Sequence, residues 1–64
     1  MKLIVFRQGV KDPREFLVTE EMKNTFISEC CNPMEYTSIT VISTDGEKHV
    51  FSKNDIVGYE VEEN

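Results

Sequence analysis

The two cysteines and the single histidine are the side chains of this sequence best suited to covalent chemistry. A catalytic thiol needs a base within hydrogen-bond reach, and His49 is the only imidazole in the chain. Cys30 and Cys31 are adjacent to each other and fall on a different predicted element from His49. Because this arrangement predicts no pair of nucleophile and base, we expect a protein that is not an enzyme.

Adjacent cysteines are also poor cross-links and poor metal ligands. A disulfide between neighbours closes a strained ring and joins no distant parts of a fold. Structural zinc needs four ligands at separated spacing, whereas this chain offers two vicinal thiols and one imidazole. The three glycines are scattered and form no phosphate-binding loop. We therefore expect Cys30 and Cys31 to be unlinked thiols, with no bound metal and no other cofactor.

The charge of the chain is uneven along its length. Residues 1–14 hold four basic side chains and one acidic one, whereas residues 15–64 hold three basic and eleven acidic ones, which gives a net charge of -5. A nucleic-acid-binding protein needs a basic face, so this distribution disfavours nucleic acid as a partner. Two alternatives stay open: a small β-rich nucleic-acid binder that uses the basic segment 2–14, and an acidic nucleic-acid mimic that inhibits a basic protein.

The apolar runs of the chain are short. The first, at residues 3–6, is much shorter than the core of a signal peptide, and no run approaches the 18 or so apolar residues of a membrane span. We expect a cytoplasmic protein whose thiols stay reduced and which does not enter a membrane.

The first part of the chain predicts two antiparallel strands. Residues 2–8 alternate so that apolar side chains fall on both faces of a pleat, which is typical of a central strand. A glycine and an Asp-Pro pair then indicate a loop, and residues 15–18 predict a short second strand.

A helix is predicted over residues 20–31. Thr19 is a candidate N-cap, and the two glutamates that follow it favour the positive end of the helix dipole. Four apolar side chains recur along one helical face: Met22, Phe26, Ile27 and Cys30. The alternative is a strand at residues 25–28, whose side chains have high β propensity.

Asp45-Gly46 lies between two β-prone runs, residues 39–42 and 49–51, and is the strongest hairpin signal in the chain. A two-residue turn opposes Val41 to Val50. A three-residue turn with a left-handed Gly46 opposes Ile39 to Phe51 instead.

The remaining elements complete an α+β domain. Residues 52–55 predict one tight helical turn, and residues 57–61 alternate as a last strand. At 64 residues the chain has material for one domain, residues 1–64, in the order β-β-α-β-β-β. We expect a small antiparallel sheet of four to five strands with one helix packed on a face. A small all-β barrel is the alternative if the helix does not form.

A core of this size gains from association, since neither a disulfide nor a metal supports it. Met34 and Tyr36 follow the helix in a loop with the composition of an adaptable contact surface. Phe16 and Val18 share one face of the short second strand, which carries few charges to guard its edge. The sequence therefore predicts a small non-enzymatic interaction module that binds a protein partner or itself. The candidate interaction surface comprises these four residues, and a homodimer would form either through the edge of the second strand or through the loop with Met34 and Tyr36.

Overall fold

Five strands and one α-helix make up the computed structural model, which describes residues 1–31 and 37–63. The elements in chain order are β1 Lys2–Arg7, β2 Arg14–Leu17, α1 Glu20–Cys31, β3 Ser38–Ile42, β4 Lys48–Ser52, a 3-10 turn at Lys53–Asp55, and β5 Ile56–Glu62. The predicted α+β class and the predicted element order are both confirmed.

The strands form two antiparallel sheets, one with the order β2-β1-β5 and one that pairs β3 with β4. β1 lies at the centre of the three-stranded sheet, as its two apolar faces predict. Leu3 pairs with Phe16 on one side and with Val61 on the other, so these three side chains share a face. The strands do not close into a barrel, so the all-β alternative is wrong.

α1 begins where the sequence predicts, and the alternative strand at residues 25–28 is not formed. The Met22 N–H donates a hydrogen bond of 3.2 Å to Thr19 Oγ1, which satisfies one of the free donors at the helix N-terminus. Phe26 is fully buried, while the other apolar residues of the same face, Met22, Ile27 and Cys30, pack at the margin of the core. The helix forms despite the high β propensity of residues 25–28, because a helical period of 3.6 residues places the apolar side chains on one face, which packs against the core.

The β3–β4 hairpin adopts the register in which Ile39 opposes Phe51. The Gly46 N–H donates to the Ser43 carbonyl at 2.9 Å, and Gly46 has a φ of 89°. This is the three-residue turn with a left-handed glycine, and the two-residue alternative is wrong. The register places Ile39 and Val41 on the buried side of the hairpin.

β5 departs from the regular alternation predicted for residues 57–61. The pairing with β1 shifts between Phe6, which opposes Gly58, and Arg7, which opposes Ile56. The extra residue in this bulge is Val57, whose side chain is 65% exposed. Ile56 packs against the core in its place.

The core lies between the two sheets and α1. It is built from eight buried residues, Leu3, Val5, Phe16, Val18, Phe26, Ile39, Val41 and Phe51, and β5 adds the partly buried Ile56 and Val61. Within residues 1–31 and 37–63, no helix has the length and apolar character needed to cross a membrane.

Candidate protein-interaction surface

Of the four residues predicted to form an interaction surface, the structure describes Phe16 and Val18. Phe16 and Val18 are 5% and 3% exposed and belong to the core. The Phe16 ring lies 5.9 Å from the Phe51 ring, edge to face. Because these two side chains point inward, they are not available to a partner on the surface of the protein. Met34 and Tyr36 lie outside the described residues.

The hairpin turn closes against β2 and leaves a cleft of about 300 Å³ beside it. The Thr44 N–H donates to the Leu17 carbonyl at 2.9 Å, which ties the turn to the edge of β2. The His49 ring forms part of the cleft wall and lies 4.7 Å from the Phe16 ring. His49 Nε2 is 3.5 Å from Glu47 Oε2. The cleft therefore has an aromatic wall and a mixed-charge rim.

The polar side chains in this cleft stabilise the turn. Ser43 donates a hydrogen bond to Asp45 Oδ1, and the Glu47 N–H donates to the same oxygen at 3.0 Å. These bonds, with that from Ser43 the larger cause, lower the pKa of the Asp45 carboxyl. The Ser43 hydroxyl thus bonds to a carboxylate of its own turn, whereas the imidazole of His49 lies beside Glu47. This geometry does not activate a hydroxyl nucleophile.

The two cysteines are free thiols at the end of α1, with Cys30 half-buried and Cys31 exposed. Burial raises the pKa of the Cys30 thiol, and the nearby Lys53 only partly opposes this. A raised thiol pKa reduces the thiolate fraction and hence the reactivity. Among the described residues, no group of three or more histidine, cysteine, aspartate or glutamate side chains could hold a metal ion.

The basic side chains of residues 2–14 point in different directions. Lys2 opposes Leu17 and Arg14 opposes Val5, so the two cations lie on opposite faces of the sheet. The Arg14 guanidinium lies 5.3 Å from the centroid of the Phe16 ring. Lys2 and Arg14 therefore do not contribute to one basic face of the kind that a phosphate backbone requires.

The side of the three-stranded sheet that faces away from the core is termed here the outer face. It consists of alternate residues of β1 and their cross-strand partners: Lys2, Ile4, Phe6, Glu15, Leu17, Gly58, Glu60 and Glu62. α1 and the hairpin pack on the other side, where the core lies. In the part of the chain that the structure describes, no helix or strand forms a layer over the outer face.

The middle of the outer face is apolar. Ile4 is at its centre and is 8% exposed, and Leu17 next to it is 58% exposed. Phe6 is half-buried and opposes Gly58, which has no side chain. An added Cβ at Gly58 would meet no atom within 4 Å, so the space above this residue is open. Sequence reasoning noted that β1 is apolar on both sides but did not treat its second side as a site.

Charged side chains surround this apolar centre. Lys2 Nζ is 3.1 Å from Glu15 Oε1 and 3.8 Å from Glu62 Oε2. The hydrogen bond to Glu15, followed by the negative charges of Glu15 and Glu62, raises the pKa of the Lys2 ammonium. Glu60 has no ion-pair partner among the described residues. The outer face thus has an apolar centre with an acidic rim, an arrangement typical of recognition surfaces.

Comparison of the chain with protein-family models, with curated proteins and with solved structures finds no match. The fold and the surface define a small α+β protein with an apolar, acid-rimmed sheet face. Its function is therefore argued from this geometry.

Proposed function

We propose that this protein is a small, cytoplasmic, non-enzymatic interaction module that binds a protein partner or a second copy of itself. The observation that carries the proposal is the outer face, where Leu17 and the half-buried Phe6 expose apolar surface beside the nearly buried Ile4, and no described helix or strand covers that surface. A sheet with one solvated face normally carries polar residues on that face. Apolar residues at its centre are best explained by a partner that covers them.

Energetic considerations also favour association. Domains of this size have small cores and commonly depend on a disulfide, a metal or a partner for stability. Binding to the folded state stabilises a protein in proportion to the logarithm of the partner concentration. A partner on the outer face would add a second apolar layer to the sheet without any change in the fold.

Two substitutions on the outer face test this function. Leu17→Ser removes the exposed leucine, and Gly58→Val adds a branched side chain to the outer face at a position where a Cβ meets no atom within 4 Å. Val50→Ser is the matched control, because Val50 is 60% exposed on the hairpin and lies outside the outer face. All three variants should retain the wild-type circular dichroism spectrum.

The readouts are sedimentation equilibrium over a wide concentration range and selection of a random-peptide library on the immobilised protein. We expect either self-association or enriched peptide ligands, lost in both outer-face variants and retained in Val50→Ser. A wild-type protein that remains monomeric and yields no ligand sensitive to Leu17→Ser and Gly58→Val would refute the proposal.

A further inference from the structure

The charges of the outer face are unbalanced. One ammonium, that of Lys2, is set against three carboxylates, those of Glu15, Glu60 and Glu62. Lys2 is shared between Glu15 and Glu62, while Glu60 is not paired within the described part of the chain. Covering this face would remove carboxylates from water, which is costly unless the covering group supplies positive charge.

This imbalance argues against a second copy as the occupant. Two copies that meet through the same face would double the excess of carboxylates in one interface. Like charges brought together at an interface disfavour association and suppress wrong partners. A partner with Lys or Arg at the edge of an apolar surface would instead neutralise Glu60 and the carboxylate that Lys2 leaves unbalanced.

The shape of the face indicates the form of the partner. The face is three strands wide, and β1 has 6 residues, which corresponds to a length of about 20 Å. A helix of about 12 residues is about 18 Å long, and helices are the usual second layer on a sheet. The open space at Gly58, opposite Phe6, offers a place for one apolar side chain of such a helix.

Resting on the interaction function given above, the geometry points to a specific partner: an amphipathic helix of another protein, with an apolar stripe flanked by Lys or Arg. Its apolar side chains lie on Leu17, on Phe6 and in the open space at Gly58. One of its cations lies at Glu60. The sheet is then covered by the hairpin and α1 on its core face and by the partner helix on its outer face.

The probe is a fluorescent peptide of about 18 residues, long enough to be helical in isolation when built on alanine. It carries leucines along one stripe and lysines beside them. One control peptide has glutamate in place of lysine, and a second has alanine in place of leucine. Fluorescence anisotropy measures the Kd of each peptide for the wild-type protein and its variants at low and high salt.

Wild-type protein should bind the lysine–leucine peptide and neither control. Glu60→Gln should weaken binding about two- to fivefold, as expected for a charge at an interface rim. Gly58→Val and Leu17→Ser should each weaken it at least about fivefold, as expected for the apolar centre of an interface. Glu29→Gln, which removes the same charge from the groove between α1 and β3, should leave the Kd unchanged.

Three results would overturn this inference: no binding, equal binding of the peptide without leucine, or equal weakening by Glu29→Gln and Glu60→Gln. The last would mean that the peptide responds only to the net charge of -5. If library ligands or self-association still depended on Leu17 and Gly58, the helix would be the wrong partner and the interaction function would stand. If neither ligand binding nor self-association depended on Leu17 and Gly58, the helix inference and the interaction function would both fail.

Discussion

The core face and the outer face of the three-stranded sheet are built from neighbouring residues of the same strands, yet their apolar side chains have different surroundings. Leu3 and Val5 on the core face are fully buried beneath the hairpin and α1. Leu17 on the outer face is 58% exposed beside charged residues. The core face therefore stabilises the fold, whereas the outer face is the surface to which we assign the proposed interaction.

The same substitution on the two faces should give the largest contrast. Leu3→Ala creates a cavity in the core and should lower the free energy of unfolding by about 2–5 kcal/mol. Leu17→Ala removes a mostly exposed side chain and should change it by less than about 0.5 kcal/mol. Urea unfolding followed by circular dichroism measures both. Equal losses would mean that the outer face contributes to the fold as much as the core face does.

Two glycines extend the comparison with smaller effects. Gly46 has a φ of 89° in the hairpin that covers the core face, so Gly46→Ala should cost about 1–2 kcal/mol. Gly58 lies in a strand on the outer face with open space at its Cβ position, so Gly58→Ala should be neutral or stabilising by up to about 1 kcal/mol. A neutral Gly46→Ala, or a strongly destabilising Gly58→Ala, in the same urea unfolding experiment would contradict these assignments.

The turn that holds the hairpin near β2 should make a small, pH-dependent contribution. Hydrogen bonds from Ser43 and from the Glu47 N–H lower the pKa of Asp45 in the folded state. The stabilisation of the folded state by these hydrogen bonds is fully present above the ordinary pKa of an aspartate. It is lost as the pH falls through the lowered pKa of Asp45 in the folded state. Asp45→Asn should therefore be less stable than wild type at neutral pH, and the gap should narrow in acid. Thermal melts from neutral to acidic pH measure the difference in Tm between wild type and Asp45→Asn. A difference that is independent of pH would exclude a stabilising role for the Asp45 carboxylate.

Local sequence patterns predicted most of the fold. The two apolar sides of β1 predicted a central strand, and Thr19 with the 3.6-residue period predicted α1. The hairpin register was left open, because Asp-Gly is compatible with both turn lengths. The bulge at Val57 was missed, since it depends on how β5 pairs with β1 rather than on the residues of β5 themselves.

The interaction surface was less predictable than the fold. Phe16 and Val18 both lie in the core, because which side of a chain segment becomes buried depends on distant elements. The apolar residues on the second side of β1 were a visible signal. The meaning of that signal became clear only when the described helix and hairpin were both found on the other side.

Methyl NMR of the protein during titration with the lysine–leucine peptide tests most directly whether the outer face is the docking surface. If the peptide docks on the outer face, we expect saturable shifts of the Ile4 and Leu17 methyl signals. The methyl signals of Ile42 and Val50, which are exposed on the hairpin, should stay in place. Saturable shifts at Ile42 and Val50 with unchanged Ile4 and Leu17 signals, or no shifts at all, would contradict the account.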